Sequence, residues 1–125
     1  MARPLRVIET PYDIGGGGDA FAELISGDAP PTAVMCGNDV LAVGAAMRAR
    51  EMGLRIPEDA SITGFDDLEI TRIMDPPLAT MHVPHREMGR RAAMALIDMI
   101  EGRGEGVSIE LAATLQMRRS LGRAR

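Results

Sequence analysis

The stretch Thr32-Ala33-Val34-Met35-Cys36-Gly37-Asn38-Asp39 decides the fold of this 125-residue chain. Its apolar part is continuous, which is typical of a strand that is covered on both faces. The glycine breaks the strand, and Asn38 or Asp39 then provides an N-cap for a helix predicted over about residues 40–52. A buried strand that leads at once into a helix predicts an α/β fold with a mainly parallel sheet.

Strands and helices alternate on either side of this stretch. Further strands are predicted at residues 60–65, 78–83, 108–111 and 113–117. Further helices are predicted at about residues 19–26, 68–74 (a short turn) and 85–101. Four consecutive glycines, residues 15–18, predict a flexible turn before the first of these helices. We therefore expect helices flanking the mainly parallel sheet.

Composition and charge exclude several classes of function. The formal net charge is −4 and the 14 basic residues are all arginine, so lysine Schiff-base chemistry and a phosphate-binding-loop lysine are ruled out. The single cysteine, Cys36, cannot form an internal disulfide. No apolar run is long enough for a membrane-spanning helix or a secretory signal, so we expect a cytoplasmic protein without membrane contact.

Polar side chains follow two of the predicted strands. Asn38 and Asp39 come after the first strand, and Asp66 and Asp67 come after the next. If these strands are neighbours, both pairs lie at the carboxyl edge of the sheet, where α/β folds bind ligands. An amide and carboxylates at that edge suit the hydroxyl groups of polyols and sugars. The structural alternative is that Asn38 or Asp39 only caps a helix and Asp67 caps the turn after it.

Catalytic and metal-binding roles have little support. Asp66 and Asp67 could serve an α/β enzyme, but no nucleophile–base–orienter set accompanies them. His82 and His85 are close in sequence, yet a zinc site needs further ligands and Cys36 is distant. The glycine run precedes no Lys-Ser or Lys-Thr pair and is no nucleotide-binding loop. We expect no catalytic residue, no metal and no cofactor.

Seven motifs, in their order and spacing, resemble the lactose-repressor (LacI/GalR) family of transcription regulators. They are PTAVMCGND (31–39), AVGA (42–45), GLRIPED (53–59), SITGFDD (61–67), PPLAT (76–80), MGRRA (88–92) and RRS (118–120). The resemblance implies a type I periplasmic-binding-protein-like core with a small effector, of sugar or nucleoside type, between two lobes. It implies that residues 1–125 are an incomplete C-terminal lobe, whose helix at about 85–101 belongs to the other lobe.

The resemblance also assigns roles to residues. Asn38 and Asp66 match positions that contact polar groups of the effector, and Tyr12 falls where the family often places an aromatic ring against the ligand. The helix after Asn38 and the turn after Asp67 help to form the family's dimer. An interface is therefore implied at four positions, Ala42, Val43, Ala46 and Met74. The alternative is a fragment of a periplasmic sugar-binding protein of a transport system, which shares the fold.

The resemblance does not include the family's DNA-binding head or its N-terminal lobe. DNA would accordingly be bound only through a head outside this sequence. The apolar stripe of the helix at about 85–101 would lack its partner lobe, which predicts self-association of the chain. Since half of the cleft would be missing, we expect weak or absent effector binding by the chain alone.

Overall fold

The computed structural model describes residues 5–123, which form an α/β fold. The helices are α1 (Ile14–Ile25), α2 (Asp39–Glu51), α3 (Ile70–Ile73) and α4 (His85–Ile100). The strands are β1 (Ala33–Met35), β2 (Ser61–Thr63), β3 (Thr80–His82) and β4 (Thr114–Gln116). The predicted positions of α2, α3, α4 and the four strands are confirmed, although each strand is shorter than expected.

The strands lie side by side in the order β1, β2, β3, β4. β1 and β2 pair in parallel, and β3 and β4 pair antiparallel. Single parallel bridges from Thr63 to Ala79 and from Asp66 to His82 join the two pairs. The first three strands therefore run in one direction, so their carboxyl ends meet at one edge of the sheet. The mainly parallel arrangement is confirmed, with one antiparallel strand at its border.

The glycine run forms the first half of α1, so the prediction of a flexible turn there is wrong. Glycine is unfavourable inside a helix because folding costs it more backbone entropy than any other residue. Here α1 crosses α2 so closely that a methyl group on Gly17 would overlap the backbone of Leu41. A methyl group on Gly44 would likewise overlap the carbonyl group of Ile14. Close contact between two helix backbones therefore requires the glycines.

The core is built on the alanine face of α2. Ala42, Ala45 and Ala49 recur at helical spacing and are at most 1% exposed. They belong to one buried cluster with Phe21 of α1 and Ile62 of β2. The apolar first half of α2 is thus covered from two sides within the chain, by α1 and by the sheet.

Three parts of the chain depart from expectation or remain uncovered. Residues 104–113 have no regular secondary structure, so the strand predicted at 108–111 is not formed. β1 is buried only at Val34, and Met35 is 87% exposed, so the expected cover on both faces is not found. α4 has no buried residue, and its membership of a second lobe stays a prediction. No helix within residues 5–123 has both the length and the apolarity to cross a membrane.

Candidate functional site

The loops after β1 and β2 run next to each other at the carboxyl edge of the sheet, which we call the rim. The backbone N–H of Asp39 donates to the carbonyl oxygen of Phe65 at 2.9 Å. The N–H of Asp66 donates to the carbonyl oxygen of Met81 at 2.9 Å, which ties the second loop to β3. Asn38 is the residue before Asp39 in the first loop, and Asp66 lies in the second loop. The structure therefore brings Asn38 and Asp66 to the same rim, as the strand order requires.

Asn38 is the N-cap of α2. Its backbone is extended, with φ −154° and ψ 177°, and its Oδ1 accepts a hydrogen bond from the N–H of Leu41 at 2.9 Å. Such a bond satisfies one of the free N–H groups at the start of a helix. The structural alternative is thus confirmed for the amide oxygen. The amide nitrogen has no acceptor among residues 5–123, so it can donate to a bound molecule.

Asp39 is committed to the fold. It is fully buried, its Oδ2 accepts from the N–H of Leu68 at 2.7 Å, and its Oδ1 accepts from Thr80 Oγ1 at 2.6 Å. A Cβ atom on Gly64 would collide with this carboxylate, so the loop after β2 needs glycine at that point. Asp39 therefore connects the start of α2 to β3 and to the loop before α3. Both of its carboxylate oxygens are occupied by these contacts and are buried away from a ligand.

Asp67 is also engaged by the protein. Its side chain is 2% exposed and its carboxylate accepts from Arg118 Nη2 at 2.5 Å and Arg72 Nη2 at 2.9 Å, with His82 Nδ1 at 3.0 Å. Burial raises the pKa of this carboxyl, but the three hydrogen bonds outweigh burial and hold the pKa at about 2. The prediction that Asp67 caps the following turn is wrong: α3 has no side-chain cap, and the Asp67 carboxylate binds Arg118 and Arg72 instead.

Asp66 is the carboxylate that remains open at the rim. Its side chain is 31% exposed and accepts no hydrogen bond from the described part of the chain; His85 Nε2 lies 3.7 Å from its Oδ1. Asp66 and Asp67 have φ values of +114° and +59°, which L-residues adopt rarely and which concentrate at functional sites. Across this turn, one carboxylate is buried against arginines and its neighbour is left accessible.

Tyr12 belongs to the segment before α1, and its side chain lies at the rim. Its side chain is 70% exposed, and a methyl group on Gly37 would come within 2.9 Å of its Oη and 3.6 Å of its Cε1. The ring is therefore adjacent to the loop that carries Asn38. An exposed aromatic face beside polar groups suits the apolar face of a sugar or the ring of a base.

His82 and His85 are rim residues that the sequence reasoning set aside. Both come from the end of β3 or just beyond it, and each faces one carboxylate of the loop after β2. Their position at the end of a third parallel strand and just after it is the sequence feature that points to the rim. In residues 5–123 no three side chains of the His, Cys, Asp or Glu type are grouped to hold a metal ion. Cys36 is half-buried at the rim, and burial together with Asp39 raises the pKa of its thiol to about 12.

The four residues assigned to a dimer interface divide into two kinds. Ala42 is fully buried in the core, so core packing explains its apolar character and it is not accessible to a partner. Val43, Ala46 and Met74 are partly exposed. A depression of about 300 Å³, lined in part by Ala46 and Asp75, opens on the same side of α2. The interface role of these three residues stays a prediction.

Comparison with known proteins gives consistent matches over nearly the whole chain. The family described as periplasmic binding protein-like domain matches residues 2–121. The HTH-type transcriptional repressor CytR of Escherichia coli (strain K12) is 40% identical over 106 residues, which are 85% of this chain and 31% of CytR. This chain therefore spans about a third of that relative's length.

Two solved structures show the same fold. A LacI family transcriptional regulator from Bifidobacterium animalis subsp. lactis superposes with a TM-score of 0.86 at 31% identity, covering 92% of this chain and 42% of the regulator. The complex of the transcriptional regulator CelR with cellobiose superposes with a TM-score of 0.82 at 31% identity, covering 87% of this chain and 34% of CelR. The rim described above therefore belongs to a fold that such regulators share.

Proposed function

Since this chain belongs to the periplasmic binding protein-like domain family, in the branch of LacI-type regulators, we propose that it supplies half of the pocket for a small effector of sugar or nucleoside type. In this proposal the effector changes the affinity of the complete regulator for operator DNA, a coupling between two distinct sites. The observation that carries the proposal is the placement of Asn38 and Asp66 at one rim, each with hydrogen-bonding capacity that the fold leaves unused.

The chemistry of the rim suits a polyol. Asn38 Nδ2 can only donate and the Asp66 carboxylate can only accept, whereas a hydroxyl group does both. The gap of 3.7 Å between Asp66 Oδ1 and His85 Nε2 lets one hydroxyl oxygen lie about 2.8 Å from both atoms, a normal hydrogen-bond length. Tyr12 offers a ring for the apolar face of the same molecule. The regulator CelR, whose complex contains cellobiose, supports the sugar class.

A titration followed by NMR tests the proposal. Isotope-labelled protein is titrated with D-ribose, cellobiose and adenosine at millimolar concentrations, because we expect any binding by this chain alone to be weak. We expect shift changes confined to residues 37–39, 65–67 and the rings of Tyr12 and His85. Changes gathered elsewhere, for example around the depression beside Ala46, would contradict the proposed site.

A pair of variants then tests the carboxylate itself. Asp66→Asn keeps the shape but removes the charge, and should weaken binding of the responding probe by about tenfold or more, since a hydrogen bond to a charged group contributes roughly 1.5–3 kcal/mol. Asp19→Asn is the matched control, because Asp19 is an exposed carboxylate on α1 that pairs with Arg48. Equal affinities for the two variants would refute the role of Asp66.

We propose no catalytic role for the rim. The pKa of Asp67 is held at about 2 and that of Cys36 is raised to about 12. General acid–base groups need a pKa near the working pH, and a cysteine nucleophile must be a thiolate. Neither Asp67 nor Cys36 is therefore suited to assist Asp66 in chemistry at neutral pH. A transport-protein fragment would have a similar rim, but the regulators CytR and CelR favour regulation.

The partners that we propose are a second copy of the chain and operator DNA. Val43, Ala46 and Met74 would meet the second copy, and DNA would be bound through a head domain of the complete regulator. A cytoplasmic location follows from binding chromosomal DNA. Ala46→Arg places a charge at the proposed contact and should lower the dimer fraction in analytical ultracentrifugation. An unchanged mass distribution would exclude this surface.

A further inference from the structure

The side chain of Arg118 reaches from the closing segment of the chain to the loop after β2. Its Nη2 donates to Asp67 Oδ1 at 2.5 Å across 51 positions of sequence. Its Nη1 donates to Thr71 Oγ1 at 2.8 Å and to the carbonyl oxygen of Leu78 at 2.9 Å. One planar guanidinium therefore links the rim loop, α3 and the residues before β3, which the point charge of a lysine could not do with the same geometry.

The loop that Arg118 contacts is the strained part of the rim. Asp66 and Asp67 both have positive φ, and two consecutive non-glycine residues keep such values only where their surroundings hold them. The N–H of Asp66 is bonded to Met81, and the N–H of Asp67 is 3.4 Å from Thr80 Oγ1. The Asp67 carboxylate, with three partners, holds the turn from the other side.

Among those three partners, Arg118 is the one shielded from water. The side chain of Arg118 is 16% exposed, against 59% for Arg72 and 47% for His82. Ion pairs that face solvent contribute little because water and salt screen them. A hydrogen-bonded pair away from water is stronger, since the local dielectric constant is lower. The hold on Asp67 therefore depends mainly on Arg118.

We propose that Arg118 is a positioning residue for the effector site: it fixes Asp67, and through the Asp67 backbone it directs Asp66 to the rim. The proposal rests on the effector-binding role proposed for Asp66. Arg118 does not touch the effector. When Arg118 is removed, the turn relaxes toward negative φ and the Asp66 carboxylate loses its fixed position at the rim.

Hydrogen exchange without any ligand tests the hold on the turn. In Arg118→Ala we expect the amide of Asp66 to exchange at least about tenfold faster, as local opening free energies fall, while the amide of Ala45 in the buried face of α2 keeps its rate. Arg72→Ala removes another partner of the Asp67 carboxylate, one that is exposed to solvent. This variant should change the exchange rate of the Asp66 amide by less than about threefold. Equal acceleration at Asp66 and Ala45 would mean that Arg118 only stabilises the fold, which overturns the proposal.

Binding of the probe links the turn to the site. Arg118→Ala should weaken binding of whichever of D-ribose, cellobiose or adenosine responds by about tenfold, and Arg118→Lys should recover only part of the loss because it restores the charge without the fork. Unchanged affinity in Arg118→Ala would overturn the proposal. Unchanged affinity in Asp66→Asn would instead defeat the proposed function, so the two failures are distinguishable.

A rescue variant separates positioning from other effects. In Asp67→Gly, glycine adopts the positive φ without strain and there is no carboxylate for Arg118 to hold. We therefore expect Arg118→Ala to have no further effect on Asp66 exchange in the Asp67→Gly background. An effect as large as in the natural sequence would show that Arg118 acts by another route.

Discussion

Gly17→Ala tests the close crossing of α1 and α2. In an unobstructed helix the change to alanine is stabilising by about 1 kcal/mol, because alanine has the higher helix propensity. At position 17 the new methyl group would overlap backbone atoms of Leu41, which cannot turn aside as the tip of a flexible side chain can. The helices must separate, which loosens the core at Phe21, and overpacking of this kind costs about 1–3 kcal/mol or more. Because the overlap is with backbone atoms, we expect a cost of about 2–3 kcal/mol, and after the gain in helix propensity a net loss of about 1–2 kcal/mol in the free energy of unfolding.

The assay is thermal and urea unfolding followed by circular dichroism. For a domain of this size 1 kcal/mol corresponds to about 4 °C, so the Tm should fall by about 4–8 °C. Gly15→Ala is the matched control in the same helix, because its methyl group would meet only Asp13 Oδ1 at 3.4 Å; it should be neutral or stabilising by up to about 1 kcal/mol. If the two variants are equally stable, the helix backbones are not in contact and this explanation of the glycine run is refuted.

Three further predictions concern acid stability, a buried hydroxyl group and the exposed helix. Folding lowers the pKa of Asp67 from 3.8 to about 2. The stabilising contribution of Asp67 is therefore complete above about pH 4 and is lost as the pH falls through 2. Measuring the free energy of unfolding between these pH values checks this prediction, and a free energy that does not change with pH would contradict it. Ser120→Ala removes the Oγ that accepts from Ala79 N–H at 2.8 Å and donates to Ile62 O at 2.7 Å, and should lower the free energy of unfolding in urea by about 1–3 kcal/mol. Ile97→Glu on α4 should reduce the self-association that we expect of this chain, as measured by sedimentation; a monomeric natural chain would exclude it.

The parts of the fold that could be predicted from sequence are those set by local patterns. An apolar run that ends in Gly37-Asn38 predicts a strand, a turn and a capped helix, since each depends on neighbours a few positions away. The rim followed from the same patterns, because parallel strands bring their carboxyl ends together. The positions of Asn38 and Asp66 at one edge of the sheet could therefore be predicted from the sequence, although the partners of their side chains could not.

The parts that could not be predicted depend on contacts between distant positions. The glycine run has the composition of a turn, and the close approach of Leu41 that requires glycine in this helix is not visible in the local sequence. Asp66 and Asp67 are chemically identical neighbours, so no local rule says which one is buried. The buried one, Asp67, pairs with Arg118, 51 positions away, and both residues of the turn have positive φ, which is uncommon for residues other than glycine. Sequence patterns contain no record of such pairings.

The rim assigns different tasks to side chains of similar chemistry, and the reason is physical. A buried carboxylate is tolerated only when its hydrogen bonds are satisfied, so Asp39 and Asp67, which hold the loops together, have no capacity left for a ligand. A carboxylate that binds a ligand must instead stay unsatisfied by the protein and be hydrated until the ligand arrives, which requires the exposure that Asp66 retains. Because its neighbours are already fixed, less ordering remains to be done on binding. Affinity should accordingly depend on Asp66 through direct contact, and on Asp39 and Asp67 only through the geometry that they impose on it.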